Sequence, residues 1–228
     1  MKKQWNWLIG KPQNSRPKKT PAEKLLLGMR VTAKCRYRAS IRLRRKSEIS
    51  FFTTTILSLG LILIPLIQNS GVKLFFAAPV LNMMQIFLAV SVLVYSVTMS
   101  KAGYEVRSEK LNECGDKLKD LSRQLDREVF AEGKESEKEI TNKYNERYSS
   151  IISDTENHSD KDYWLAKLDM THDYEITGIR RLAMYAVSYA NLYAGYIIPI
   201  TMMIAELLFV TDMIGATSFY PDSFRINQ

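Results

Sequence analysis

The sequence predicts an all-α membrane protein, a two-helix transmembrane hairpin with a cytoplasmic helical bundle or coiled-coil-like extension. Three observations predict it. Two uncharged apolar runs, Ile49 to Val72 and Leu74 to Ser100, are parted only by Lys73, and each exceeds the roughly 20 apolar residues that cross a ~30 Å hydrocarbon core as a helix. Charge is displaced to the flanks: residues 1–50 hold 15 Lys or Arg against two acids, Glu23 and Glu48, and the rest of the chain has 17 basic and 22 acidic residues. Beyond the second run, apolar residues recur at heptad spacing among charged ones.

Residues 1–19 hold Gly10, Pro12 and Pro17 with no apolar periodicity and read as a basic arm, mobile when free. Trp5 and Trp7 are its exceptions, suited to a headgroup layer or to anchoring a partner. Residues 20–48 are expected to form a basic juxtamembrane helix. Thr20-Pro21-Ala22-Glu23 supplies a hydroxyl N-cap, a proline at the first helical position and a glutamate at N3, which together make a capping box. Along this helix Arg30, Lys34, Arg38, Arg42 and Arg45 recur at steps of four and three on one face. That stripe suits anionic lipid, at about 1 kcal/mol per cation, or the phosphates of a nucleic acid. Tyr37 is the only aromatic among these residues, so sequence-specific base readout is not supported.

The hairpin occupies 49–100, with spans at about 50–67 and 80–99. The basic residues before it place the N-terminus inside and the turn outside, giving a multi-pass membrane protein with its main helical region cytoplasmic. The fifty polar, basic residues ahead of the first run argue against a cleaved leader. In the second span Asn82, Gln85, Ala89 and Ser96 share a face, and the first adds Thr54, Thr55 and Ser58. Polar groups in a span face protein or water, so Asn82, Gln85 and Ser96 are candidates to line a pore, with helix-to-helix adhesion inside the hairpin as the equal alternative. Two helices cannot enclose water, so any pore requires several copies of the chain.

Residues 101–181 form the cytoplasmic helical region. The second span is expected to continue as one helix to about Phe130, with Tyr104, Leu111, Cys114, Leu118, Leu121 and Leu125 as a seam that needs a partner, either the chain's own later helices or another subunit. Gly133 interrupts it. A further stripe, Ile140, Tyr144, Tyr148, Ile151 and Ile152, marks the next helix, and Asp154 to Asp162 a loop. Its Asn157, His158 and Asp160 suit capping and turn roles better than a metal site, for which no cysteine is near. A third amphipathic helix is expected from Asp160, with Trp164, Leu168, Ile176, Ile179 and Leu182 on one side.

Residues 182–228 form a tyrosine-rich apolar C-terminal helix and tail. From Leu182 to Ala205 there is no Asp, Glu, Lys, Arg or His. Tyr185, Tyr189 and Tyr193 step along one face, suited to packing or to partner contact. Ser188, Asn191 and a break at Pro199 favour a helix buried in protein or lying at the interface over a third crossing.

No glycine-rich phosphate loop, Cys/His ligand pattern or nucleophile elbow occurs. An enzyme is therefore not expected, nor a catalytic residue, metal or cofactor. Cys35 and Cys114 flank the hairpin on the side where thiols stay reduced.

The stretch Lys34-Cys35-Arg36-Tyr37-Arg38-Ala39-Ser40-Ile41-Arg42-Leu43-Arg44-Arg45-Lys46-Ser47, running into the first span, resembles the lead-in of SLATT domains, two-transmembrane effectors of bacterial defence systems. Tyr148 followed by Asn157-His158-Ser159-Asp160-Lys161-Asp162-Tyr163 is similar to the cytoplasmic signature of the subgroup coupled to reverse transcriptases. The resemblance covers roughly residues 30–180. It implies an oligomeric pore-forming or membrane-disrupting toxin that kills or arrests an infected cell when released from inhibition by a retron, a reverse transcriptase with its RNA-linked single-stranded DNA. The alternative is a non-conducting tether that anchors a nucleoprotein complex through its basic N-terminal region.

Overall fold

The computed structural model describes residues 19–130 and 136–226. Among them are seven α-helices: α1 (Pro21–Asn69), α2 (Ala78–Ala102), α3 (Tyr104–Phe130), α4 (Glu137–Ser153), α5 (Asp160–Asp169), α6 (Gly178–Ala194) and α7 (Ile197–Met213). The described residues contain no strand, only an isolated bridge between Phe76 and Arg225. The helices divide into two compact units.

The charged unit comprises the chain up to Arg44 and Glu105–Tyr193. Its α1 begins where the capping box places it: Thr20 N donates to the Glu23 carboxylate at 2.9 Å and Glu23 N to the Thr20 hydroxyl at 3.3 Å. The basic helix does not stop at the membrane segment, because α1 is one 49-residue helix running through both. The heptad seam is filled by the chain's own helices. Leu121 and Leu125 pack with Met29 of α1 and Ile140 and Tyr144 of α4, while Cys114 and Leu118 pack with Ala33, Ile151 and Ile152. Leu118 and Leu125 are fully buried, each contributing about 1.5–3 kcal/mol. A second face of α1, Val31 and Cys35, meets Ala166 of α5. The helix expected from Asp160 to Leu182 is two helices, interrupted at residues 170–177. Leu168 is buried but Ile179 and Leu182 are about 70 % exposed, so they do not continue one face.

The apolar unit comprises Arg45–Tyr104 and the residues from Ala194 on. Here α1 and α2 form the hairpin, both long and apolar enough to cross a membrane. Its surface is inverted relative to a water-soluble domain: Phe51, Leu59, Leu66, Ile86 and Leu93 are all 60 % or more exposed, as a surface facing hydrocarbon requires. The hydroxyls of Thr53, Thr54, Thr55 and Ser58 donate to carbonyls four residues back at 2.7–3.0 Å. The helix thus satisfies them itself. Gly103, at φ +54°, occupies the single position between α2 and α3, a conformation that glycine adopts without steric cost.

The second apolar stretch of the C-terminal region does not break at Pro199. The interruption is at Gly195 and Tyr196, and Pro199 stands in the first turn of α7, where its missing N–H leaves no vacancy in the helix ladder. Phe209 and Met213 of α7 share a core with Leu57, Ile64, Leu81 and Leu88 of the hairpin. Gly195 and Tyr196 line a cavity of about 510 Å³ with Lys46 and Tyr104 at the charged end of the hairpin, whereas Phe75 N in the turn donates to Met213 O at 3.0 Å. α7 therefore runs beside the hairpin from one end to the other. Past it, the buried Asp212 carboxylate accepts from Phe219 N (3.0 Å), Tyr220 N (2.7 Å) and Arg225 (2.8 Å). Tyr220 and Phe224 then close on Phe76 and Phe209, clamping the tail to the hairpin turn.

Candidate functional site

In the charged unit the two segments singled out in the sequence, the Arg-rich stretch and the Asn157–Tyr163 motif, meet. The cations of α1 that were candidates for lipid or phosphate face carboxylates of the same chain in antiparallel order. Arg42 makes a two-pronged pair with Asp162, Nε to Oδ1 at 3.0 Å and Nη2 to Oδ2 at 2.9 Å. Arg38 Nε donates to Asp169 at 2.8 Å, Lys34 lies 3.6 Å from the same carboxylate, and Arg30 lies 3.6 Å from Asp173. Arg45, on the apolar unit, is exposed.

Asp162 is the centre of this ladder. It is 1 % exposed and stands at the third position of α5, where its Oδ2 also accepts from the backbone N–H (3.0 Å) and hydroxyl (2.7 Å) of Ser159. Burial alone would push the carboxyl up, but the Arg42 and Ser159 hydrogen bonds outweigh it and hold Asp162 below the ordinary carboxylate range. Beside it, the buried Arg36 donates to the Glu156 carbonyl, and the Glu156 carboxylate receives Arg107 at 2.7–3.1 Å. Burial, then the Arg36 charge, lowers the His158 pKa, so its imidazole is neutral near pH 7. Asn157 Oδ1 accepts from His158 N at 2.9 Å. The Asn157 side chain thus turns the chain, while His158 Nδ1 is buried without a hydrogen-bond partner.

The Cys35 thiol lies inside the same cluster, fully buried. Desolvation, reinforced by the Asp162 charge, pushes it up to about 12, so it carries no reactive thiolate at neutral pH. Ser40 and Ser108, both buried, face each other at 3.1 Å between α1 and α3. The arrangement is a polar latch between α1 and α5.

In the hairpin the three pore candidates separate. Gln85 Nε2 donates to Gln68 Oε1 at 3.1 Å, tying α2 to α1. Asn82 is exposed on the hairpin surface, and Ser96 returns its hydroxyl to Leu93 O at 3.0 Å. Tyr185, Tyr189 and Tyr193 form a ladder on α6, with ring centroids 6.1 and 6.2 Å apart and the Arg181 guanidinium 5.8 Å over the first ring. Trp5 and Trp7 lie outside the described residues.

The family model of the SMODS and SLOG-associating 2TM effector domain family 5 matches residues 18–211. The chain belongs to that SLATT family. No curated protein and no solved structure matches it. The match takes in α1 through most of α7, so the Arg42–Asp162 latch and the hairpin fall within one effector domain. Sequence reasoning missed Asp169, Asp173 and Arg36 as members of the latch. The acids at 162, 169 and 173 step by seven and four while the cations they meet recur every four residues along α1, and nothing local in the sequence joins the two sets. A SLATT protein of this family is a membrane effector associated with defence systems.

Proposed function

We propose that this SLATT protein is a non-enzymatic effector whose copies assemble in the bacterial inner membrane into a pore, or disrupt the bilayer, to arrest an infected cell. Its N-terminus and charged unit face the cytoplasm, following the positive-inside rule, and α7 forms a third crossing. At 17 residues α7 is at the short end of the range for a span. The observation that carries the reading is the uncharged hairpin with an apolar outer belt inside a two-transmembrane effector domain.

Control is assigned to a retron-type reverse transcriptase with its RNA-linked single-stranded DNA, acting on the charged unit through the basic arm or the tyrosine ladder. The tether reading draws less support, because Arg30, Lys34, Arg38 and Arg42 are engaged by acids of their own chain. The test is expression in bacterial cells with a voltage-sensitive dye, with and without the reverse transcriptase and its RNA-linked DNA. The expected result is depolarisation and growth arrest without the partner, suppressed when it is present. An intact membrane potential without the partner would overturn the pore and leave the tether.

A further inference from the structure

We infer that Glu206 is a proton-binding site in the middle of the membrane domain, a neutral carboxylic acid seated against the backbone of Gly60. Glu206 is 3 % exposed, and neither carboxyl oxygen has a hydrogen-bond partner. Gly60 stands near the midpoint of the Ile49–Asn69 part of α1, and a Cβ there would overlap Glu206 Oε1. The missing side chain is the seat of the acid. Glu206 also lines a cavity of about 410 Å³ whose other walls include Leu57, Met84, Leu88, Ile198 and Met202. No ionisable group is among them.

Every other described charge of this unit lies at an end of the hairpin, at the end of α7 or, as Asp222 and Arg225, in the tail beyond it. On α1, Arg45, Lys46 and Glu48 precede the span and Lys73 follows it; on α2, Lys101 closes the last turn. On α7 itself Asp212 is bound by Arg225 and two backbone N–H groups. The Tyr220 hydroxyl donates to Ala205 O at 2.9 Å. A carboxylate with no cation and no donor in hydrocarbon takes up a proton. A divalent cation is excluded by ligand number, since one carboxylate falls far short of the six or more oxygens that calcium or magnesium takes. Both oxygens are buried without a partner, so a proton is the ligand that fits.

The proton also couples to movement. Parting α7 from α1 would admit water; the O–H bond then breaks, the electron pair stays on the carboxylate and the proton passes to water. The site rests on α7 lying within the membrane, part of the function proposed above.

Infrared spectroscopy of the full-length protein in lipid nanodiscs at pH 7, wild type minus Glu206→Gln, tests it. The expected result is a protonated carboxylic acid C=O band present in the wild type and lost in the variant, with both proteins equally helical by circular dichroism. Gly60→Ala, which puts a methyl on Oε1, should shift that band. A carboxylate band at pH 7, or an acid band indifferent to Gly60→Ala, would overturn the proposal. A C-terminal topology reporter separates the two readings: a cytoplasmic C-terminus removes the third crossing, while a carboxylate band in a protein with an external C-terminus removes only the proton site.

Discussion

At the scale of single residues the Arg42–Asp162 pair decides how firmly α5 is held. Breaking a buried pair by removing one partner costs about 3–5 kcal/mol, and Asp162 is buried while Arg42 is about one-fifth exposed, so Asp162→Ala should fall at the lower end, about 3 kcal/mol. Chemical unfolding of the protein in detergent, followed by circular dichroism, checks this, and Arg42→Met with Asp162→Leu should regain most of the loss. The pH dependence has a definite sign. Because Asp162 is held below its ordinary value of 3.8, its contribution is full above that pH and is lost as pH falls below it; Asp162→Asn should flatten that limb of the stability curve. In the hairpin, Gln85 poses a sharper question than its place on a polar face suggests. If it serves to hold α2 to α1 through Gln68, then Gln68→Leu should reproduce the effect of Gln85→Leu on activity, whereas Asn82→Leu should act independently. Unequal effects of the two glutamine changes would return Gln85 to the pore lining. The acids that neutralise the basic stripe were hard to read for a physical reason: ion pairs between residues 120 or more positions apart leave no local trace, and a solvated cationic stripe looks the same as a paired one.

The elements were legible to different degrees. The heptad from Leu111 to Leu125 announced a buried seam because burial imposes a period, but a period does not name the partner; α1 and α4 supply it through Met29, Ala33, Ile140 and Tyr144. Leu118→Ala should therefore cost about 2–5 kcal/mol in the charged unit, measured in the same unfolding assay. The α7 region was misjudged because proline reads as a breaker in an uninterrupted apolar run, while in the first turn of a helix it costs nothing. Its tail was invisible, since a single buried carboxylate, Asp212, folds residues 219–226 back onto the turn at Phe75 and Phe76. The third crossing proposed for α7 would put the C-terminus outside the cytoplasm. A reporter active only outside the cytoplasm should be active when fused after Gln228 and silent when fused before Met1. Activity at neither end would return α7 to the interface.

For the whole molecule the issue is whether a latch in the charged unit governs a hairpin with no charge in its spans. α1 runs through both units, and it is where the latch cations, the Gly60 seat and the first span all reside. Opening the latch should therefore be visible at Cys35, which is fully buried with its thiol pushed up to about 12 and should be alkylated slowly while α5 stays in place. In membranes containing the reverse transcriptase and its RNA-linked DNA, maleimide labelling of Cys35 in a Cys114→Ser background should be slow. Withdrawal of the partner should raise the labelling rate by at least tenfold, in step with depolarisation. Asp162→Ala should raise labelling and depolarise the membrane even with the partner present, because it removes the contact the partner would otherwise preserve. Fast labelling without depolarisation would mean that the latch opens but does not control the hairpin, and slow labelling during full depolarisation would mean that the effector acts with its charged unit closed.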